Sequence, residues 1–141
     1  MNIQVWAISN IEKDLDYISD NSGETGFVIL TTRDYDVFKY IAPYIIIQCY
    51  DVTKDEKGFI TKEQIKDLYY FIKRYWYIDN LIVMCDAGLS RSPATAIALY
   101  EYFGDITIAD RFKQIHKFYN QDMYRIIKDE LNELRKGEKK T

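Results

Sequence analysis

One cysteine in this chain stands where a nucleophile would. Cys85 closes an apolar run, Leu81 to Met84, and opens the segment CDAGLSRS. The run reads as a buried strand. It delivers the thiol to a tight loop of small or short residues: Asp86, Ala87, Gly88, Leu89 and Ser90. Consecutive backbone N–H groups in such a turn converge into an anion-binding nest. A helix beginning at Ser92-Pro93 follows, with proline tolerated because first-turn N–H groups have no intrahelical partner. Its end adds unpaired N–H groups and the positive end of a dipole. Arg91 supplies a planar fork that can take two phosphate oxygens. The same positive surroundings favour the thiolate of Cys85. A thiolate at the floor of a phosphate cradle is placed to attack phosphorus. The other cysteine, Cys49, lies inside YIIIQCY with no such turn beside it and reads as core.

The Cys-x5-Arg spacing resembles the signature loop of the protein tyrosine phosphatase superfamily. CDAGLSRS is most similar to the dual-specificity branch, whose usual form is His-Cys-x-x-Gly-x-x-Arg-Ser. Cys85, Gly88, Arg91 and Ser92 fall on matching positions. The resemblance implies a cysteinyl-phosphate intermediate, with residues 86–91 as the phosphate-binding loop. It gives Ser92 the role of hydrogen-bonding the thiolate or assisting breakdown of the intermediate. Read from the residues alone, Ser92 is a helix N-cap or first-turn residue. Met84 departs from the pattern, standing where the family places a histidine that orients the loop and keeps the thiol acidic. That work falls here to the loop amides, Arg91 and the helix. The side chain of Asp86 is expected to point outward, since a carboxylate aimed into the cradle would repel a phosphate dianion.

Cleaving a phosphoester also requires a proton for the leaving oxygen. The resemblance assigns it to Asp51, which directly follows YIIIQCY and lies 34 residues before Cys85. Asp55 and Glu56 share the loop and are its rivals. The same loop, DVTKDEKGFITKEQ, has the flavour of a calcium-binding EF-hand, but neither register unites the glycine with the ligands. The segment FYNQDMYRII resembles a late helix start of the family. Asn120, Tyr124 and Arg125 then read as a cap, a core aromatic and a charged rim. The lone His116 reads as a surface or packing residue, and a single histidine makes a Cys/His zinc cluster very short of ligands.

The implied activity is metal-free and cofactor-free hydrolysis of phosphomonoesters. Phosphotyrosine is the simplest substrate, with phosphoserine and phosphothreonine beside it, on a protein or a small molecule. The alternatives are a phosphoinositide or RNA 5′-phosphatase and a non-catalytic phosphate-binding module. Members that act on such polyanions often carry lysines in the loop, where this chain has Asp86, Ala87, Leu89 and Ser90. Tyr35, Tyr40, Tyr69 and Tyr102 are candidates for a pocket rim, or equally for core or interface.

The elements must hold Cys85 and Asp51 at one edge. Strands are expected over residues 3–8, 27–30, 44–50 and 81–84, from apolar, β-branched and aromatic runs. Capping boxes at Ser9–Glu12 and Thr61–Gln64 open two helices. A small helix is expected over 34–40, another from 107 to 118, and a last one capped by Asn120. Alternation of strands with helices predicts a single-domain α/β fold, a mainly parallel sheet of about four strands flanked by helices on both faces. Ligands on such sheets bind beyond the carboxyl ends of the strands. Residues 1–136 form the catalytic domain and 137–141 a short basic tail.

Composition sets the outer bounds. At 141 residues, 48% hydrophobic, the chain is suited to one domain with a core of its own. Its formal charge of -3 gives no reason to expect broad nucleic-acid binding. No apolar stretch reaches membrane-helix length. The start, MNIQVWAISNIEKD, turns acidic before a leader-like run develops, so no signal peptide is expected. Two cysteines make no disulfide framework, and a reducing cytoplasm is the expected compartment.

Overall fold

Four short apolar runs become the strands of one parallel sheet. The computed structural model describes residues 1–8, 25–32 and 43–139. Within these, β1 (Asn2–Ala7), β2 (Thr25–Thr31), β3 (Tyr44–Gln48) and β4 (Asn80–Cys85) lie in the order β1-β4-β2-β3, all parallel. β4 is therefore central, paired on both sides, and every residue from Leu81 to Cys85 is buried. That explains its unbroken apolar sequence, since a strand covered on both faces has no solvent side for polar residues. The carboxyl ends of all four strands share one edge, and Cys85 ends β4 there.

Alternation along the strands divides the interior into two clusters. Val28, Leu30, Leu81, Val83 and Cys85 face four helices: α1 (Lys62–Arg74), α2 (Arg91–Tyr102), α3 (Ile106–Ile115) and α4 (Gln121–Lys139). Phe27, Ile29, Ile82 and Met84 face the other way, with Ile8, and Trp6, Tyr44 and Ile46 pack against them. The helices expected near Ser9–Glu12 and over 34–40 fall outside the described residues, as do Tyr35 and Tyr40. The chain forms a single α/β domain.

α2 is the central helix. Every residue from Arg91 to Tyr100 is buried. It contacts β1, β2 and β4 on one side and α3 and α4 on the other. An element enclosed in this way is apolar all round, which is why ATAIAL shows no polar face. The Tyr100 hydroxyl fixes it to β1, accepting from Ile3 N–H at 2.8 Å and donating to Ile3 C=O at 3.0 Å. α1 opens with the expected capping box: Gln64 N–H donates to Thr61 Oγ1 at 3.1 Å and Thr61 N–H to Gln64 Oε1 at 3.0 Å.

Several boundaries differ from expectation, β1 running over Asn2–Ala7 and β2 over Thr25–Thr31 among them. β3 ends at Gln48, not Tyr50, because the next backbone groups leave the ladder: Arg91 takes the Cys49 carbonyl and Tyr50 N–H donates to Gly58. α3 ends at Ile115, not Phe118, where a turn from His116 to Tyr119 takes over. α4 continues through Gly137 to Lys139, past the point where the tail was expected. Glu138 on that last turn pairs with Lys73 of α1. Tyr69 is buried in the core, and Tyr102 packs against it at the far end of α2, about 16 Å from Arg91 by helical rise. Neither lines a rim around Cys85. Among the described residues, no helix is long and apolar enough to cross a membrane.

Candidate active site

The loop between β4 and α2 is only Asp86 to Ser90. Gly88 makes its turn at φ +71°, a region that suits glycine. A Cβ there would also meet Ala7 N at 3.0 Å, so the loop lies directly against the end of β1. The N–H groups of Ala87, Gly88, Leu89, Ser90 and Arg91 find no acceptor among the described residues. Five successive donors without protein partners, followed by a helix N-terminus, are the material of an anion site.

Cys85 lies at the floor of this loop, only 2% exposed. Its Sγ is 3.2 Å from Ser92 Oγ and accepts from Ser92 N–H at 3.4 Å. Ser92 is a first-turn residue; the N-cap is Ser90. The Ser90 hydroxyl makes no capping bond, because it donates instead to Asp51 Oδ1 at 2.8 Å. Asp51 thus reaches the loop after Cys85 across 39 positions of chain. Its rivals do not. Asp55 is exposed and has no hydrogen bond among the described residues. Glu56 closes its own turn, accepting from Thr53 N–H at 2.9 Å and Thr53 Oγ1 at 2.8 Å. Those two bonds hold its carboxyl below the usual range.

Arg91 is folded inward, its side chain 9% exposed. Nη1 donates to the Cys49 carbonyl at 2.7 Å and Nη2 to Asp86 Oδ2 at 2.9 Å. Asp86, expected to point outward, is held against Arg91 with its side chain 33% exposed. Its other oxygen accepts from Thr31 Oγ1 at 2.9 Å. The reason is local: pairing with a nearly buried guanidinium outweighs the hydration the carboxylate gives up. Met84, in the position next to the cysteine, faces the opposite side of the sheet and is fully buried among Phe27, Ile29 and Ile82. A strand's alternation puts residues 84 and 85 on different faces. Cys49 is buried as expected, and burial pushes its thiol up to about 11 against the pull of Arg91. It is a neutral thiol at neutral pH, and its contribution to the site is a backbone carbonyl.

Two contributors were read differently from sequence. Asn120 does cap α4, its Oδ1 accepting from Met123 N–H at 3.0 Å. Its Nδ2 also donates to Asp51 Oδ1 and to the Val52 carbonyl, both at 2.9 Å, and its N–H donates to the Ser90 carbonyl at 3.2 Å. One asparagine therefore ties the Asp51 loop, the cysteine loop and α4 together. The FYNQDMYRII resemblance located it but suggested only a cap. Thr31 has no local signal beyond its place at a strand's carboxyl end. Tyr124 is buried and Arg125 exposed, as read, while His116 packs against Phe112 with its pKa lowered by burial.

No family model and no curated protein sequence matches the chain. Solved structures do. The human tyrosine phosphatase-like serine/threonine/tyrosine-interacting protein superposes with a TM-score of 0.64 at 17% identity, covering 95% of this chain and 91% of that one. DUSP15 gives 0.66 at 18% identity, covering 94% and 81%. A leucine rich repeat and phosphatase domain containing protein from Entamoeba histolytica gives 0.59 at 17% identity, covering 95% and 88%. The chain has the fold of tyrosine and dual-specificity phosphatase-like proteins.

Proposed function

We propose that this chain is a cysteine-dependent phosphomonoester hydrolase, acting on phosphotyrosine and also on phosphoserine and phosphothreonine. The observation that carries the reading is the convergence of Asp51 and Cys85 on one short loop, bridged by Ser90 at 2.8 Å from Asp51. A buried structural thiol needs neither a carboxylate tied to its loop nor unpaired amides beside it. The fold shared with phosphatase-like structures supports the same reading.

In the proposed reaction the Cys85 thiolate attacks phosphorus. An S–P bond forms as the P–O bond to the leaving group breaks. Asp51 gives its proton to the departing oxygen. Loop amides and Arg91 stabilise the equatorial oxygens, where charge builds up. Asp51, now a carboxylate, takes a proton from water, which attacks phosphorus and breaks the S–P bond. Inorganic phosphate leaves and the thiolate is restored. Ser92, in contact with Sγ, donates to the sulfur as it becomes a leaving group.

The test is hydrolysis of p-nitrophenyl phosphate in the presence of a chelator. Turnover by the native chain, abolished in Cys85→Ser, is the expected result. Tight binding of tungstate with no turnover would reject the hydrolase and favour a phosphate-binding module. A panel of phosphotyrosine, phosphothreonine, phosphoinositide and RNA 5′-phosphate substrates ranks the classes; preference for either polyanion would replace the protein-phosphatase reading.

A further inference from the structure

Asp86 is an acidic side chain within the loop that should welcome an anion. It is held there from two directions. Oδ2 accepts from Arg91 Nη2 at 2.9 Å, and Oδ1 from Thr31 Oγ1 at 2.9 Å. Thr31 is fully buried at the end of β2. The pairing of β2 with β4 sets Leu30 against Cys85, so Thr31 and Asp86 are the next neighbours across the sheet edge. With both oxygens engaged, the carboxylate cannot turn to solvent without losing a buried hydroxyl and a guanidinium.

The consequence is electrostatic. Arg91 is the one guanidinium or ammonium group of the loop sequence CDAGLSRS, and Asp86 cancels its formal charge. Within the loop itself the remaining positive field comes from backbone dipoles, which act at short range on a single bound phosphate. A second phosphate on the same molecule gains little from those amides and still feels the carboxylate. Arg91 is almost wholly enclosed while the Asp86 side chain is 33% exposed, so water screens the pair only from the carboxylate's side.

We propose that Asp86 is a specificity-determining residue that turns the site against ligands carrying more than one phosphate and toward single phosphomonoesters. This rests on the hydrolase reading for its substrate class, and on the anion cradle alone for its effect on binding. Its test is therefore equilibrium binding. Calorimetry with inorganic phosphate and with pyrophosphate compares the full chain with Asp86→Asn, which has nearly the same shape without the charge. The expected result is that Asp86→Asn raises the affinity for pyrophosphate about tenfold and the affinity for phosphate by less. Thr31→Val, which removes one hydrogen bond to Asp86 without removing its charge, should change the ratio in the same direction but less. The proposal is overturned if the phosphate-to-pyrophosphate ratio stays constant in both variants. It is equally overturned if both ligands weaken together in Asp86→Asn, which would make the carboxylate only a strut for Arg91. Lack of p-nitrophenyl phosphate turnover would remove the hydrolase reading but leave this ratio readable.

Discussion

Asp51 makes both of its described hydrogen bonds through one oxygen, Oδ1, which accepts from Ser90 and Asn120. Oδ2 has no partner among the described residues. In the proposed reaction Oδ2 is the oxygen that would face the leaving group, while Oδ1 keeps the side chain tied to the loop. Replacing it with asparagine should lower kcat by about a hundredfold or more for leaving groups that need protonation. It should also remove the fall of rate on the basic side of the pH profile. Asp55→Asn should keep both the rate and that fall. A basic-side fall persisting in Asp51→Asn would reject the assignment. The nearness of Asp51 to the loop of Cys85 and Arg91 was legible because it was read from residue type and spacing. Asp86 was not: its orientation depends on Thr31, a strand partner 55 positions away. Asn120 was half legible, because a cap is a local event and its reach to Asp51 is not.

At the scale of elements, the loop depends on what its neighbours allow. Gly88 is bounded by β1, so alanine there must both hold φ +71° and press on Ala7. Gly88→Ala should cost about 1–2 kcal/mol of stability by denaturant titration. Phosphate binding should weaken by more than that loss alone explains, because the amides turn with the loop. Phosphate binding unchanged in a destabilised variant would separate the turn from the cradle. Behind the loop, α2, α3 and α4 are joined at Glu101, whose side chain is 9% exposed. It meets Lys113 at 2.8 Å, Lys128 at 3.3 Å and the Tyr124 hydroxyl. Burial pushes its carboxyl up, but those three hydrogen-bond donors outweigh burial and hold it below the usual value of 4.5. A lowered folded-state value stabilises the protein above that pH, and the contribution is lost as pH falls through the folded value. Glu101→Gln should therefore lose about 2 kcal/mol at neutral pH, with the gap to the native chain closing in acid. A gap independent of pH would show that packing, not charge, holds this junction. Helix existence here was legible from periodicity and caps. The junction was not, since its members lie up to 27 residues apart on three helices.

Across the whole molecule, the sheet order explains why one segment could mark where the candidate site lies. β4 lies between β1 and β2, so its carboxyl end is inside the edge at which open parallel sheets generally bind ligands. The apolar run before Cys85 marked a buried strand, and a buried central strand fixes where its last residue emerges. What sequence left open was which residues close around that point from β2, β3 and the start of α4, because parallel pairing brings together segments distant in the chain. The net charge of -3 likewise hides a local arrangement: unpaired amides, a helix end, and an arginine already matched by an aspartate. These elements support one central claim, that Cys85 carries the phosphoryl group during turnover. The most direct measurement is intact-protein and peptide mass analysis of an acid-quenched reaction with p-nitrophenyl phosphate, using native chain, Asp51→Asn and Cys85→Ser. An added phosphoryl group is expected on the peptide containing Cys85 and is expected to be absent from Cys85→Ser. Turnover with no adduct at Cys85, or an adduct on another residue, would contradict it.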